Sequence, residues 1–303
     1  MAADSKTAAP TAGKLLAKQM VAGASAGTLA DAIMFPMMTV KSRLQVQGGG
    51  GGYSYKGPVD AISSIAAREG WRTLYKGFGT VCLIAPAQAL YLGTYQTSKK
   101  VLPGGQDNPL TQFCGGAIST LVQSSVMVPT EVIRQRQMVQ TAQEGAYTGS
   151  LHAIRTIYQH EGISAFYRGF LLAQLVWGPY NAVYLPLWEG LKRASVRFSG
   201  AESMQKLEVQ YELGSAFIAA SVAAALTNPA DIVKTRLQVQ GKSNKSSATQ
   251  YTGTIDAARK IYAKEGIAGF TKGMSSRVLW VAPSATIMFT SYDQLMKRLE
   301  RMW

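Results

Sequence analysis

Charge is scarce in this chain, and acid is scarcer than base. Only 16% of its 303 residues are charged, and 17 Asp and Glu stand against 31 Lys and Arg. Two histidines and two cysteines leave little to build a metal centre or a nucleophile with its base, and no phosphate-loop motif is present. Cys82 and Cys114 fall in separate apolar segments, so a disulfide framework is not indicated. The opening "MAADSKTAAPTAGK" has neither the apolar core of a secretory signal nor the arginines of a transit peptide, so any address should be internal. Together these absences give no support to catalysis, a metal site or a cofactor. The net charge of +14 admits nucleic acid, anionic lipid or anionic solutes, but the bases are spread over loops rather than gathered in one stripe, which disfavours nucleic acid.

What is present is apolar length. Residues 19–40 hold one charge, Asp31; residues 78–98, 110–130, 169–188 and 213–230 hold none; residues 273–292 hold only Arg277. A helix needs roughly 20 residues to cross a bilayer, and six stretches of that size recur. Gly, Ser, Thr and Gln run through each, as expected of helices lining a polar interior. The expected class is therefore all-α, with six membrane-spanning helices.

An internal repeat organises them. "PMMTVKSRLQVQG" from Pro36, "PTEVIRQRQMVQ" from Pro129 and "PADIVKTRLQVQG" from Pro229 are one phrase written three times. Each is followed by "EGWRTLYKG", "EGISAFYRG" or "EGIAGFTKG". The residues between have helical periodicity after a Gly-containing start and predict a short amphipathic surface helix. The unit is span, surface helix, span, in repeats at 15–105, 106–206 and 207–303 behind a flexible tail, 1–14. Six spans put both termini on one side. The loops that follow the proline phrases carry 18 of the 31 Lys and Arg, which assigns them to the inner side. Gly23 and Gly27 predict close helix contact in the first span.

With these phrases in register over nearly the whole chain, the sequence resembles the mitochondrial carrier family, whose signature is Pro-x-Asp/Glu-x-x-Lys/Arg-x-Lys/Arg in three copies. The resemblance implies a pseudo-threefold six-helix bundle in the mitochondrial inner membrane, both termini toward the intermembrane space, and a central cavity opened alternately to each side. The proline bends the odd-numbered helices inward, so that acids and bases meet at the matrix end. There Glu131 is expected to pair with Lys234 and Asp231 with Lys41, under the glutamine braces Gln45 and Gln238. Two places depart from the pattern. Met38 occupies the acidic position of repeat one, leaving Arg134 without a partner, and Met138 occupies the brace position of repeat two. At the cytoplasmic gate, repeat two keeps Trp188, Glu189 and Lys192. Repeat one has Tyr95 and Lys99 around Gln96, and repeat three has Tyr292 and Asp293 but Met296.

Family members read substrate about three residues before a mid-helix proline. Here Pro86, Pro179 and Pro283 select Leu83, Val176 with Trp177, and Trp280, with Tyr180 and Asn181 on the next turn. None is cationic, which disfavours nucleotides, phosphate and dicarboxylates. Asp31 is the acid within a span and could receive an ammonium or a coupled proton, with Arg277 as its counterpart. An α-amino acid would then fit, and three stretches are similar to the branch that carries branched-chain amino acids, although that branch would place a base at Asp31. Equally, Asp31 could be a structural acid and Arg277 part of the inner packing. The resemblance further implies bound cardiolipin at Gly57, Gly149 and Gly253, which open the surface helices, and at Gly77, Gly169 and Gly273, which open the even spans. Helix-start N–H groups bind phosphate, and "YKG", "YRG" and "TKG" add a base. The expected function is transport of a small, largely uncharged metabolite such as a neutral or branched-chain amino acid by a monomer. The alternative is a carrier fold that no longer transports and serves in a larger inner-membrane complex.

Overall fold

The computed structural model describes residues 8–48, 54–103, 108–140, 147–199, 208–240 and 251–302, and their order repeats three times. Repeat one has α1 (Ala8–Val46), α2 (Pro58–Glu69) and α3 (Ile84–Val101); repeat two has α4 (Pro109–Val139), α5 (Ser150–Glu161) and α6 (Phe170–Ser199); repeat three has α7 (Val209–Val239), α8 (Thr254–Glu265) and α9 (Met274–Met302). No strand occurs among the described residues. Two features differ from the sequence expectation. Helix α1 begins at Ala8, inside the stretch read as tail, and the second span starts as a 3-10 turn, Phe78–Leu83, before α3. Pro86 falls in the first turn of α3, where its missing N–H has no intrahelical partner to lose. Residues 1–7 lie outside the described residues.

Helix α1 packs on α9, α9 on α7 and α7 on α6, while α3 packs on α4. The odd helices α1, α4 and α7 touch one another in all three pairs and so close a ring. Three stretches, Val21–Val46, Trp71–Val101 and Gln210–Val239, are long and apolar enough by composition alone to cross a membrane. The remaining long helices mix polar residues into the same length.

Each surface helix is held by the same two positions one turn apart: Ala61 and Ile65 in α2, Ala153 and Ile157 in α5, Ala257 and Ile261 in α8, all buried. They rest on the inner half of the preceding long helix, for instance Ile65 with Val40 and Leu44. Burying such an isoleucine is worth roughly 1.5–3 kcal/mol. The third residue of each surface helix reaches back to a backbone N–H before the helix: Asp60 accepts from Lys56 at 2.8 Å, Asp256 from Thr252 at 2.9 Å, and His152 Nδ1 from Thr148 at 3.2 Å. His152 is thus a helix-starting residue. The close contact expected of Gly23 and Gly27 is absent, because a Cβ at either would meet no neighbouring atom within 4 Å. A glycine pair permits close approach without compelling it.

Candidate functional site

The inner end of the bundle is tied at two levels, both built by the proline phrases. At the upper level Lys41 Nζ lies 2.7 Å from Asp231 Oδ2, and Lys234 Nζ 2.7 Å from Glu131 Oε1. Gln45 donates to Asp231 at 2.8 Å and Gln238 to Glu131 at 3.4 Å. Each contact joins two odd helices, α1 with α7 and α7 with α4. Both lysines are almost wholly enclosed, at 8% and 3% exposure, so the pairs hold charge that could not stay buried singly.

The lower level was not apparent from the sequence alone. The second base of each proline phrase grips the glutamate of its own repeat's "EG" phrase, and it also grips the end of the next odd helix. Arg136 binds Glu161 at 2.6 Å and donates to the carbonyls of Gln238 (3.1 Å) and Gln240 (2.8 Å). Arg236 binds Glu265 at 2.5 Å and the carbonyls of Gln45 (2.9 Å) and Gln47 (3.1 Å). Arg43 binds Glu69 and the carbonyls of Met138 and Gln140, both at 3.0 Å. Helix C-termini leave carbonyls without intrahelical donors, and these guanidinium forks supply them. The recurrence of a second base and of Glu-Gly at fixed offsets was the available signal. A further triplet, Gln47, Gln140 and Gln240, pairs with both the N–H and the carbonyl of Tyr55, Tyr147 and Tyr251 respectively.

Two of the three loop bases read as lipid contacts bind glutamates within the protein. Arg168 lies 2.9 Å from Glu161, and Lys272 lies 2.7 Å from Glu265. Burial pushes the Glu265 carboxyl up, but hydrogen bonds from Arg236 and Lys272 outweigh it and hold it below the usual carboxylate range. Gly77, Gly169 and Gly273 adopt positive φ of 91°, 78° and 71°. A Cβ on Gly273 would come within 3.0 Å of Gln45 Cγ, so this glycine is needed both for its conformation and for close approach. Gly57, Gly149 and Gly253 precede the surface helices in extended conformation. A cleft of ≈ 580 Å³ does separate the start of α6 from that of α8, with Gly169 and Gly253 on its two lips.

At the other end no ion pair joins the described residues assigned to a cytoplasmic gate to one another across the bundle. Lys192 binds Glu212 on adjacent α7 at 2.7 Å and stands 4.6 Å from the centre of the Trp188 ring. Glu189 pairs with Arg193 one turn away, and Lys99 lies 5.5 Å from its own helix's Tyr95. Tyr292 is half-buried, and the side chain of Asp293 lies outside the described residues. The described ties thus close the inner end and leave the outer end apart.

Between the ends lie the residues assigned to substrate. Trp177, Tyr180, Tyr184 and Trp188 climb one face of α6 with ring centres 5.9, 5.8 and 6.0 Å apart. Asn181 is exposed, Val176 is enclosed, and Leu83 is 40% exposed. Trp280 packs on Phe35, Met38, Val81 and Met138, with Lys41 Nζ 5.7 Å above its ring. Arg277 does not stand opposite Asp31. It is 5% exposed, donates to Thr227 at 2.9 Å and lies 3.6 Å from Asp231. Asp31 is half-buried and makes no hydrogen bond or ion pair among the described residues, and the cation that acts on it is Arg134. Among the described residues no three His, Cys, Asp or Glu side chains gather as metal ligands would.

Comparison with known proteins agrees with this architecture. The family model described as "Mitochondrial carrier protein" matches residues 14–106, 105–199 and 205–303. "Mitochondrial substrate carrier family protein E" of Dictyostelium discoideum is 37% identical over 288 residues, 91% of this chain and 94% of that protein. "S-adenosylmethionine carrier 1, chloroplastic/mitochondrial" of Arabidopsis thaliana is 33% identical over 283 residues, 91% and 77% of the two chains. "Mitochondrial adenine nucleotide transporter ADNT1", also of Arabidopsis thaliana, is 30% identical over 306 residues, 93% and 87%. With three matched repeats, three tied proline phrases and relatives aligned along nine-tenths of its length, the chain belongs to the mitochondrial carrier family.

Proposed function

We propose that this carrier moves a small, nearly neutral metabolite bearing an ammonium group, an α-amino acid or a close relative of one, and that Asp31 receives the ammonium. Membership makes the chain a multi-pass protein of the mitochondrial inner membrane that transports small molecules and is not an enzyme. The finer reading rests on one observation: Asp31 is a carboxylate within a span that makes no hydrogen bond or ion pair among the described residues. A carboxylate at that depth is costly unless it faces water or a cation. The aromatic face of α6 and Trp280 supply an apolar wall suited to a substrate's uncharged part. Relatives named for S-adenosylmethionine fit this chemistry, since that molecule is an amino-acid zwitterion joined to an aromatic base. The relative named for adenine nucleotides fits it less well, because Leu83, Val176 and Trp280 offer no cation to phosphates.

On this reading, the tied inner end is the matrix gate closed, and the separated outer residues are the cytoplasmic gate open. The positive-inside bias and the even number of long helices support termini in the intermembrane space. The cleft between α6 and α8, with helix-start N–H groups at its rim, supports cardiolipin as the bound lipid. The test is uptake into liposomes of leucine, valine, S-adenosylmethionine and ADP. The expected result is entry of at least one zwitterion and its loss in Asp31→Asn. Entry of ADP alone, or unchanged uptake in Asp31→Asn, refutes the reading. No flux of any probe, with the protein isolated in a large complex, favours a structural subunit.

A further inference from the structure

One sector of the inner ring is unlike the other two. In two sectors a carboxylate, a lysine from the next helix and a glutamine meet. In the third, Met38 stands in the carboxylate's place and Met138 in the glutamine's, and the two methionines share one cluster with Phe35 and Val81. Ser42 Oγ donates to Met138 Sδ at 3.6 Å. The seal there is apolar and leaves no anion for the third base of the ring, Arg134. Among the described residues Arg134 makes no side-chain hydrogen bond or ion pair, and its Nε is buried without a partner. A buried donor left open is costly, so a ligand that satisfies it gains by binding. The nearby anion, Glu131, is already held by Lys234 and Gln238.

We infer that Arg134, released from the ring by the paired methionines, is the carboxylate receptor of a zwitterion site whose ammonium receptor is Asp31. This rests on the transport reading above and adds the second charged group of the substrate. Arg277 is already committed to Thr227 and Asp231. A guanidinium suits the role, since its fork donates to both oxygens of a carboxylate. Helical rise places Asp31 about 15 Å above Lys41, and Arg134 occupies the position in its repeat that Lys41 occupies in repeat one. The charge of Arg134 is felt at Asp31, so the two groups lie near enough to act on one small zwitterion.

The test compares matched probes with the full-length protein in liposomes: leucine against isoamylamine, which lacks the carboxylate, and S-adenosylmethionine against its decarboxylated form. Wild type should prefer the carboxylated member of a pair. Arg134→Gln should raise the KM for that member by roughly tenfold or more and erase the preference, and Arg134→Lys should recover part of it. Met38→Asp with Met138→Gln, which gives Arg134 a partner in the ring, should produce the same loss of zwitterion uptake while raising the melting temperature. A merely structural Arg134 would not show that opposed pair of effects. Zwitterion uptake at the wild-type KM in the double variant, or a retained carboxylate preference in Arg134→Gln, overturns the inference. Asp31→Asn separates the layers: if it changes no probe's uptake, the transport reading falls and takes this inference with it, whereas loss there with no change at Arg134 sinks the inference alone.

Discussion

Arg43, Arg136 and Arg236 each satisfy three separate demands: a buried glutamate, the open carbonyls of a foreign helix end, and the spacing between two repeats. Removing one such guanidinium strands a carboxylate. Arg136→Met should lower stability by about 3–5 kcal/mol, because Arg136 and Glu161 are 3% and 9% exposed and Arg136 donates to both oxygens of that carboxylate. Thermal melting of purified protein measures it, and a change of a degree or less would show the clasp to be ornamental. These three roles were hard to read in sequence. A register argument finds acid opposite base, as it does for Lys41 with Asp231. It does not find a side chain aimed at main-chain oxygens 95 to 191 residues away. Lys272 has a partner that was hidden for a related reason: a base beside glycine reads as a phosphate ligand, and the glutamate it binds lies seven residues upstream across a turn.

At the scale of elements, the surface helices were legible down to their burial pattern, because an apolar residue every fourth position on a polar background admits one packing face. The start of the second span was not, since a 3-10 segment has no periodicity that a short apolar run would reveal. The junction between α8 and α9 carries a pH dependence. Glu265 is held below its ordinary value, so its ionised form is favoured by folding. The stability it contributes is complete above the unfolded carboxylate value, about 4.3, and is lost as pH falls through the lower folded value. Melting followed from neutral pH downward should therefore show wild type and Glu265→Gln farthest apart near neutrality and converging below about pH 4. A gap that stays constant through that range would contradict the assignment.

For the molecule as a whole, six spans and three copies sufficed to give the fold, and the fold brought four of the five charged ring residues into pairs. The fifth, Arg134, was already left without a ring partner by Met38 in the sequence. What the linear pattern withheld was the fate of Arg277, because it depends on how far a long side chain reaches from its helix. The two ion pairs are also unequal. Asp231 keeps Arg277 and Gln45 if Lys41 is lost, whereas among the described residues Glu131 keeps only Gln238 as a direct partner if Lys234 is lost. Lys234→Met should therefore depress the melting temperature more than Lys41→Met, and the reverse order would show that Arg277 does not support its neighbour.

The arginine clasps also have a direction. Repeat one holds the end of repeat two, repeat two holds repeat three, and repeat three holds repeat one. Stacked repeat proteins lengthen or shorten by a copy and stay folded, since each copy touches only the ones beside it. A circle of this kind has no end at which to add or subtract. Two copies leave one hand empty and a helix tip bare, and a fourth has nothing to grasp, so the number of repeats is fixed by the same contacts that hold the inner end shut.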